Sequence, residues 1–101
     1  MSGRRSRDKG NRTERAIVRV LQAHGLAATK ISGMYKPGAD ISMQILGSDR
    51  AVEVKCRAAG FQQLYDWLHQ RDVLIVKSDH QEPLVVVRLS LAAEIAKRAA
   101  D

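Results

Sequence analysis

One cysteine, Cys56, excludes an internal disulfide, and a reducing, intracellular, cytoplasmic setting is the simplest reading. No apolar run approaches the ~18–20 residues that span a bilayer, so no membrane is expected among the partners. The N-terminus is basic but no apolar stretch follows it, which argues against a secretory signal. A glycine-rich loop ending in Lys and Ser or Thr is missing, so nucleoside triphosphates are not indicated. His24, His69 and His80 are scattered, without metal-ligand spacing or a cysteine partner, and this argues against zinc and histidine-metal nuclease chemistry. Neither an internal repeat nor a separating linker is found. The chain of 101 residues then reads as a single domain over 11–101 with an arm before it.

Hydrophobic residues make up 45%, which fits a globular protein with a thin core. The net charge of +6 is unevenly placed. Residues 1–15 hold Arg4, Arg5, Arg7, Lys9, Arg12 and Arg15 against Asp8 and Glu14, whereas the other 86 hold eleven cations and nine acids. Residues 1–10 therefore read as a basic, flexible arm of Ser, Gly, Arg and Lys. Such arms bind polyanions, of which nucleic acid is the commonest; the alternative is a purely solubilising tail.

Ala16, Ile17, Val20, Leu21 and His24 recur at helical spacing. Gly25 stops the pattern where a left-handed cap belongs, giving a helix over about 12–24. Asn11 and Glu14 are spaced as a capping box. Residues 26–32 read as a short strand, and Pro37-Gly38 as a turn. Ile41, Met43 and Ile45 alternate with polar residues, and Gly47-Ser48-Asp49 turns the chain. Val52, Val54 and Cys56 then alternate with Glu53, Lys55 and Arg57. The result is a β-hairpin with one apolar face, holding Cys56 as a packed thiol, and one charged face.

A second helix is expected over about 61–70, with a stripe of Phe61, Leu64, Tyr65 and Leu68. Tyr65 and Trp67 could stack on bases, but core packing is the favoured role on such a stripe. Val73–Val76 and Leu84–Val87 are continuous apolar runs, the mark of strands covered on both faces. Ser90 is placed to cap a last helix over about 91–100, with Leu91, Ile95 and Ala99 inward. The order α-β-β-β-α-β-β-α is buried most naturally as an α/β fold, a mixed sheet of about five strands flanked by helices.

Glu53 and Lys55 are two residues apart on a strand and so point the same way. A turn near 47–49 puts Asp40 roughly opposite residues 55–57, beside that charged face. Two converging carboxylates repel, and a divalent cation relieves the repulsion. Carboxylates, a backbone carbonyl and waters suit Mg²⁺ or Mn²⁺, which prefer oxygen ligands. Lys55 can hold the attacking water or balance charge on a phosphate. The metal would polarise the phosphoryl oxygen and activate water. A Glu-x-Lys pair is commonplace on exposed strands. Its context distinguishes it here: Gly38-Ala39-Asp40 after a Pro-Gly turn, a hairpin, apolar-Glu-apolar-Lys, then a helix.

Gly38-Ala39-Asp40-Ile41 with Ala51-Val52-Glu53-Val54-Lys55 resembles the PD-(D/E)XK nuclease superfamily. Glu14 in a leading helix, a strand ending at Ser32-Gly33, and Gln62-Gln63 after the lysine are similar to archaeal Holliday-junction resolvases. The likeness covers about residues 10–77 and departs at Ala39, where many members carry proline. It implies a restriction-endonuclease-like core, Mg²⁺, and hydrolysis of DNA phosphodiesters in recombination and repair. In these terms Asp40 and Glu53 are metal ligands with the carbonyl of Val54, Lys55 positions the water, and Glu14 completes the acidic cluster. Ser32, Lys36, Arg57 and Gln63 are candidate substrate contacts.

The favoured reading is a Mg²⁺-dependent endonuclease acting on DNA, branched DNA foremost, for which symmetric cleavage would call for a homodimer. The alternatives are a non-catalytic nucleic-acid-binding module on the same fold and, more remotely, a basic assembly protein. Deleting residues 1–10 removes Arg4, Arg5, Arg7 and Lys9. It should make the slope of log K against log salt on duplex DNA shallower by up to roughly 3–4 units. Cleavage at saturating DNA should change little. Salt titrations on both forms read this out, and an unchanged slope would shift the contacts to Lys36, Arg57 and Arg71.

Overall fold

The computed structural model describes the backbone of residues 2–31 and 40–100, and side chains from Asn11 onward. The element order is the expected one: α1 (Ser2–Ala23), β1 (Ala28–Lys30), β2 (Ile41–Ile45), β3 (Ser48–Val52), α2 (Gln62–Leu68), β4 (Leu74–Val76), β5 (Leu84–Val86) and α3 (Leu89–Ala100). The chain gathers into two compact units, residues 1–56 with 93–101 and residues 57–92. Among the described residues no helix is long and apolar enough to cross a membrane.

The first helix begins at Ser2, not near residue 12, so the segment read as an arm is its opening turns. Residues 2–10 contain no proline and no β-branched residue, and Asp8 stands four positions from both Arg4 and Arg12, a spacing that favours helix. Asn11 is consequently interior to the helix and no capping box forms there. The helix ends as expected at Gly25, whose φ of +84° is the left-handed cap. Gly25 N–H donates to the Gln22 carbonyl at 2.9 Å and Leu26 N–H to the Leu21 carbonyl at 3.1 Å. These two bonds form a Schellman motif, and its hydrophobic contact joins Leu21 and Leu26 in the core.

In the first unit β2 is the middle strand of an antiparallel sheet ordered β1-β2-β3. Ala28 lies opposite Met43 and Lys30 opposite Ile41; Ile41 in turn lies opposite Val52. The β2–β3 turn is at Leu46 and Gly47, with φ of 54° and 77°. Two positive values mark the two-residue turn whose twist suits a hairpin, and this is why the turn falls earlier than 47–49. The core holds Val18, Leu21, Leu26, Ala28, Ile41 and Ala93, with Ile17, Met43, Val52, Val54 and Ala96 packed against it.

Two helical faces differ from expectation. On α1 the buried residues are Val18 and Leu21, while Val20 is 42% exposed. On α3 the inward residues are Ala93 and Ala96, because alanines let a helix approach closely, and Ile95 is exposed. Ser90 lies inside α3 and is not its cap.

The five strands do not form one mixed sheet. In the second unit β4 and β5 make their own antiparallel pair, with Ile75 opposite Val85. All described pairings join sequence neighbours, for which antiparallel pairing needs only a turn. The two apolar runs are not covered on both faces: Ile75 and Val85 are each 64% exposed. Tyr65 and Trp67 are exposed too, against the expectation of core packing, and Leu68 is the buried residue of α2. Within the unit the Arg88 guanidinium also donates to the carbonyls of Arg71 at 2.9 Å and Leu68 at 3.3 Å.

Ile41 is 0% exposed. Ile41→Ala should lower the unfolding free energy by about 2–5 kcal/mol, the range for a large aliphatic truncated in a packed core. Ile45→Ala, at the half-buried end of the same strand, should cost clearly less. Urea denaturation of both variants measures the difference.

Candidate functional site

Asp40 immediately precedes β2 and is bonded on three sides. Its N–H donates to the Val52 carbonyl at 2.9 Å, and its own carbonyl accepts from Ile31 N–H at 3.1 Å. Its carboxylate Oδ2 accepts from Val54 N–H at 2.7 Å. Asp40 thus engages both residues that flank Glu53. The expected position opposite residues 55–57 is corrected by this register, because the hairpin turn falls at Leu46-Gly47.

The same contact explains where β3 ends. The strand stops at Val52, short of the expected run to Arg57. Beyond it the Asp40 carboxylate takes the place of a strand carbonyl as the acceptor for Val54. Val54 still packs against the core, so Glu53 and Lys55, on either side of it, lie off the core face. Cys56 is exposed and not a packed thiol, since the regular alternation has already lapsed. Lys55 Nζ is 3.0 Å from Glu53 Oε1, an ion pair with about half of each side chain exposed. The two residues do share a side, as their spacing requires.

Glu14 meets a different partner. Its Oε2 is 3.4 Å from Lys30 Nζ, and its side chain is only 16% exposed. Lys30 belongs with Ala28, Ile41 and Met43 in strand alternation, the face that α1 covers. The alternation that buries Ile41 turns position 40 the other way. The pair therefore ties α1 to β1 beneath the sheet, and among the described residues no three His, Cys, Asp or Glu side chains gather to hold a metal. Sequence reasoning missed Lys30, for which a three-residue strand gives no periodic signal.

The remaining candidates are dispersed. Gln63 is exposed on α2 and Arg57 is exposed at the start of the second unit. Arg71, the other cation of interest there, donates to the Gln70 carbonyl at 3.2 Å. Ser32 and Lys36, with the Pro37-Gly38 turn, lie outside the described residues.

What the arrangement offers chemically is a carboxylate held by the main chain beyond β3, an adjacent Glu–Lys pair open to solvent, and the main chain of Val52–Val54 between them. No protein-family model, curated protein or solved structure matches this chain.

The lock on Asp40 can be tested apart from any activity. Asp40→Ala leaves the Val54 N–H without its acceptor and should cost about 1–3 kcal/mol. Asp40→Asn keeps an amide oxygen in reach and should cost less. Hydrogen exchange at the Val54 amide should accelerate in the alanine variant and stay near wild type in the asparagine one.

Proposed function

We propose that the chain is a Mg²⁺-dependent DNA endonuclease with a restriction-endonuclease-like core, in which Asp40 and Glu53 hold the metal and Lys55 serves the attacking water. The observation that carries the reading is the clasp of Asp40 on Val52 and Val54, the two neighbours of Glu53. It holds the main chain on both sides of Glu53 against Asp40 by hydrogen bonds, which supports reading the two residues as one site.

The donor set fits the ion. Mg²⁺ keeps several waters and is commonly held by one or two carboxylates together with substrate phosphate, so a cage of three side chains is not required. Asp40 spends Oδ2 on Val54, which leaves Oδ1 as a ligand atom in a defined direction. The Val54 carbonyl is the main-chain candidate beside it. When bound, the ion supplies charge to the scissile phosphate and lowers the pKa of a coordinated water. Lys55, paired with Glu53 at 3.0 Å, would orient the attacking water and balance the charge that develops on the scissile phosphate. Glu14 is assigned to holding Lys30, a positioning task, and not to the ligand set.

Branched DNA, cut symmetrically by a dimer, is the substrate that the resolvase resemblance suggests. A second reading has its own support: Lys55 at 3.0 Å already balances Glu53, so the pair is content without a cation. That would suit a nucleic-acid-binding module that turns nothing over.

Cleavage assays with Mg²⁺ or Mn²⁺ on labelled junction, flap, duplex and single-stranded DNA separate the two. Asp40→Asn and Glu53→Gln should each reduce cleavage by about 10³-fold or more, the result of losing several kcal/mol of charge stabilisation. DNA binding should persist. Lys55→Ala should slow cleavage sharply with a smaller effect on metal affinity. Wild-type rates in either carboxylate variant would rule out this site, and no cleavage of any substrate by the native chain would favour the binding module.

A further inference from the structure

Helix α1 carries seven of the seventeen cations and two of the eleven acids, so five of the six net positive charges lie on one element. Residues 57–92, by contrast, hold four cations and four acids. On α1, Arg12, Arg15 and Arg19 are all exposed. Their spacing of three and then four residues sets them on one stripe, distinct from the side that buries Val18 and Leu21. Continued towards the N-terminus, the stripe passes the positions of Asp8 and Arg5.

Apart from the Asp8–Arg12 spacing, folding does not account for this row. Like charges three and four residues apart oppose the helix that holds them, and alanine at each position would be the better helix former. A partner that neutralises all three at once does account for it. Guanidinium groups match phosphate oxygens in forked pairs. From Arg12 to Arg19 the helix rises roughly 10 Å, and an α-helix about 10–12 Å across with its side chains is what a ~12 Å wide major groove admits.

We propose that the Arg12–Arg15–Arg19 stripe is the surface that grips the phosphate backbone of duplex DNA, with α1 acting as a preformed rod. The inference takes a nucleic-acid partner from the reading above, but it requires neither the metal nor cleavage.

The test is binding of a short blunt DNA duplex to the full chain in EDTA, over a series of salt concentrations. Arg12→Ala, Arg15→Ala and Arg19→Ala together should make the slope of log K against log salt shallower by up to about 3 units. Each single substitution should contribute about 0.9. The triple lysine variant keeps the charge and should keep the slope. Arg98→Ala on α3, exposed and paired with Glu94, should leave it unchanged. A triple alanine variant with the native slope overturns the proposal, as does a native chain that does not bind duplex. Native binding with the expected slopes but no cleavage of any DNA removes the nuclease reading and leaves the stripe standing. Cleavage with an unchanged slope in the triple variant removes the stripe alone.

Discussion

Ile41 is wholly buried and its neighbour Asp40 is bonded to Ile31, Val52 and Val54. These are two expressions of one constraint, that β2 is the middle strand and cannot shift. Sliding β2 by one residue against either partner would carry Ile41 out of the core and Asp40 into it, at the cost of an apolar side chain exposed and a carboxylate desolvated. The register of the first unit is therefore set from both sides of the sheet. The position of every candidate residue there follows from it: Lys30 opposite Ile41, Glu14 drawn to Lys30, Glu53 between the two groups that Asp40 holds.

This economy also separates the acidic residues by role. Glu14 is largely covered, salted to Lys30, and placed where α1 meets the sheet. Glu53 is half exposed, salted to a flexible neighbour two residues away. An ion pair of the first kind adds to the helix–sheet contact, and one of the second kind contributes little to stability in water and is easily exchanged for another partner. Readiness to exchange is what a metal ligand or a phosphate contact needs. Asp40 lies between the extremes, with one carboxylate oxygen committed and one uncommitted to that bond.

The sequence told most where a single physical rule acted alone. The element order followed from periodicity, and the end of α1 from a glycine that takes a conformation other residues resist. The start of α1 was misjudged because Ser, Gly, Arg and Lys carry no apolar period, although arginine and lysine are good helix formers. The alternation from Val52 to Arg57 was read as one strand because a side chain, Asp40, replaces the ladder carbonyl at Val54, and no period announces such a substitution. The apolar runs of β4 and β5 gave the strands but not their cover, since burial depends on neighbours that the local pattern does not contain. At the candidate site, the Glu53–Lys55 neighbourhood was legible from strand geometry. The pairing of Glu14 with Lys30 was not, because it joins residues sixteen apart in the chain through tertiary packing.

Six of the seven buried side chains among the described residues belong to the first unit, and Leu68 stands alone in the second. In that second unit β4 pairs with β5, and Arg88 donates to carbonyls 17 and 20 residues back. Apolar burial is graded and survives small displacements, whereas each hydrogen bond weakens steeply once its distance and angle are lost. Few buried apolar side chains mark the low-stability end of local unfolding, and residues 57–92 hold one among the described residues.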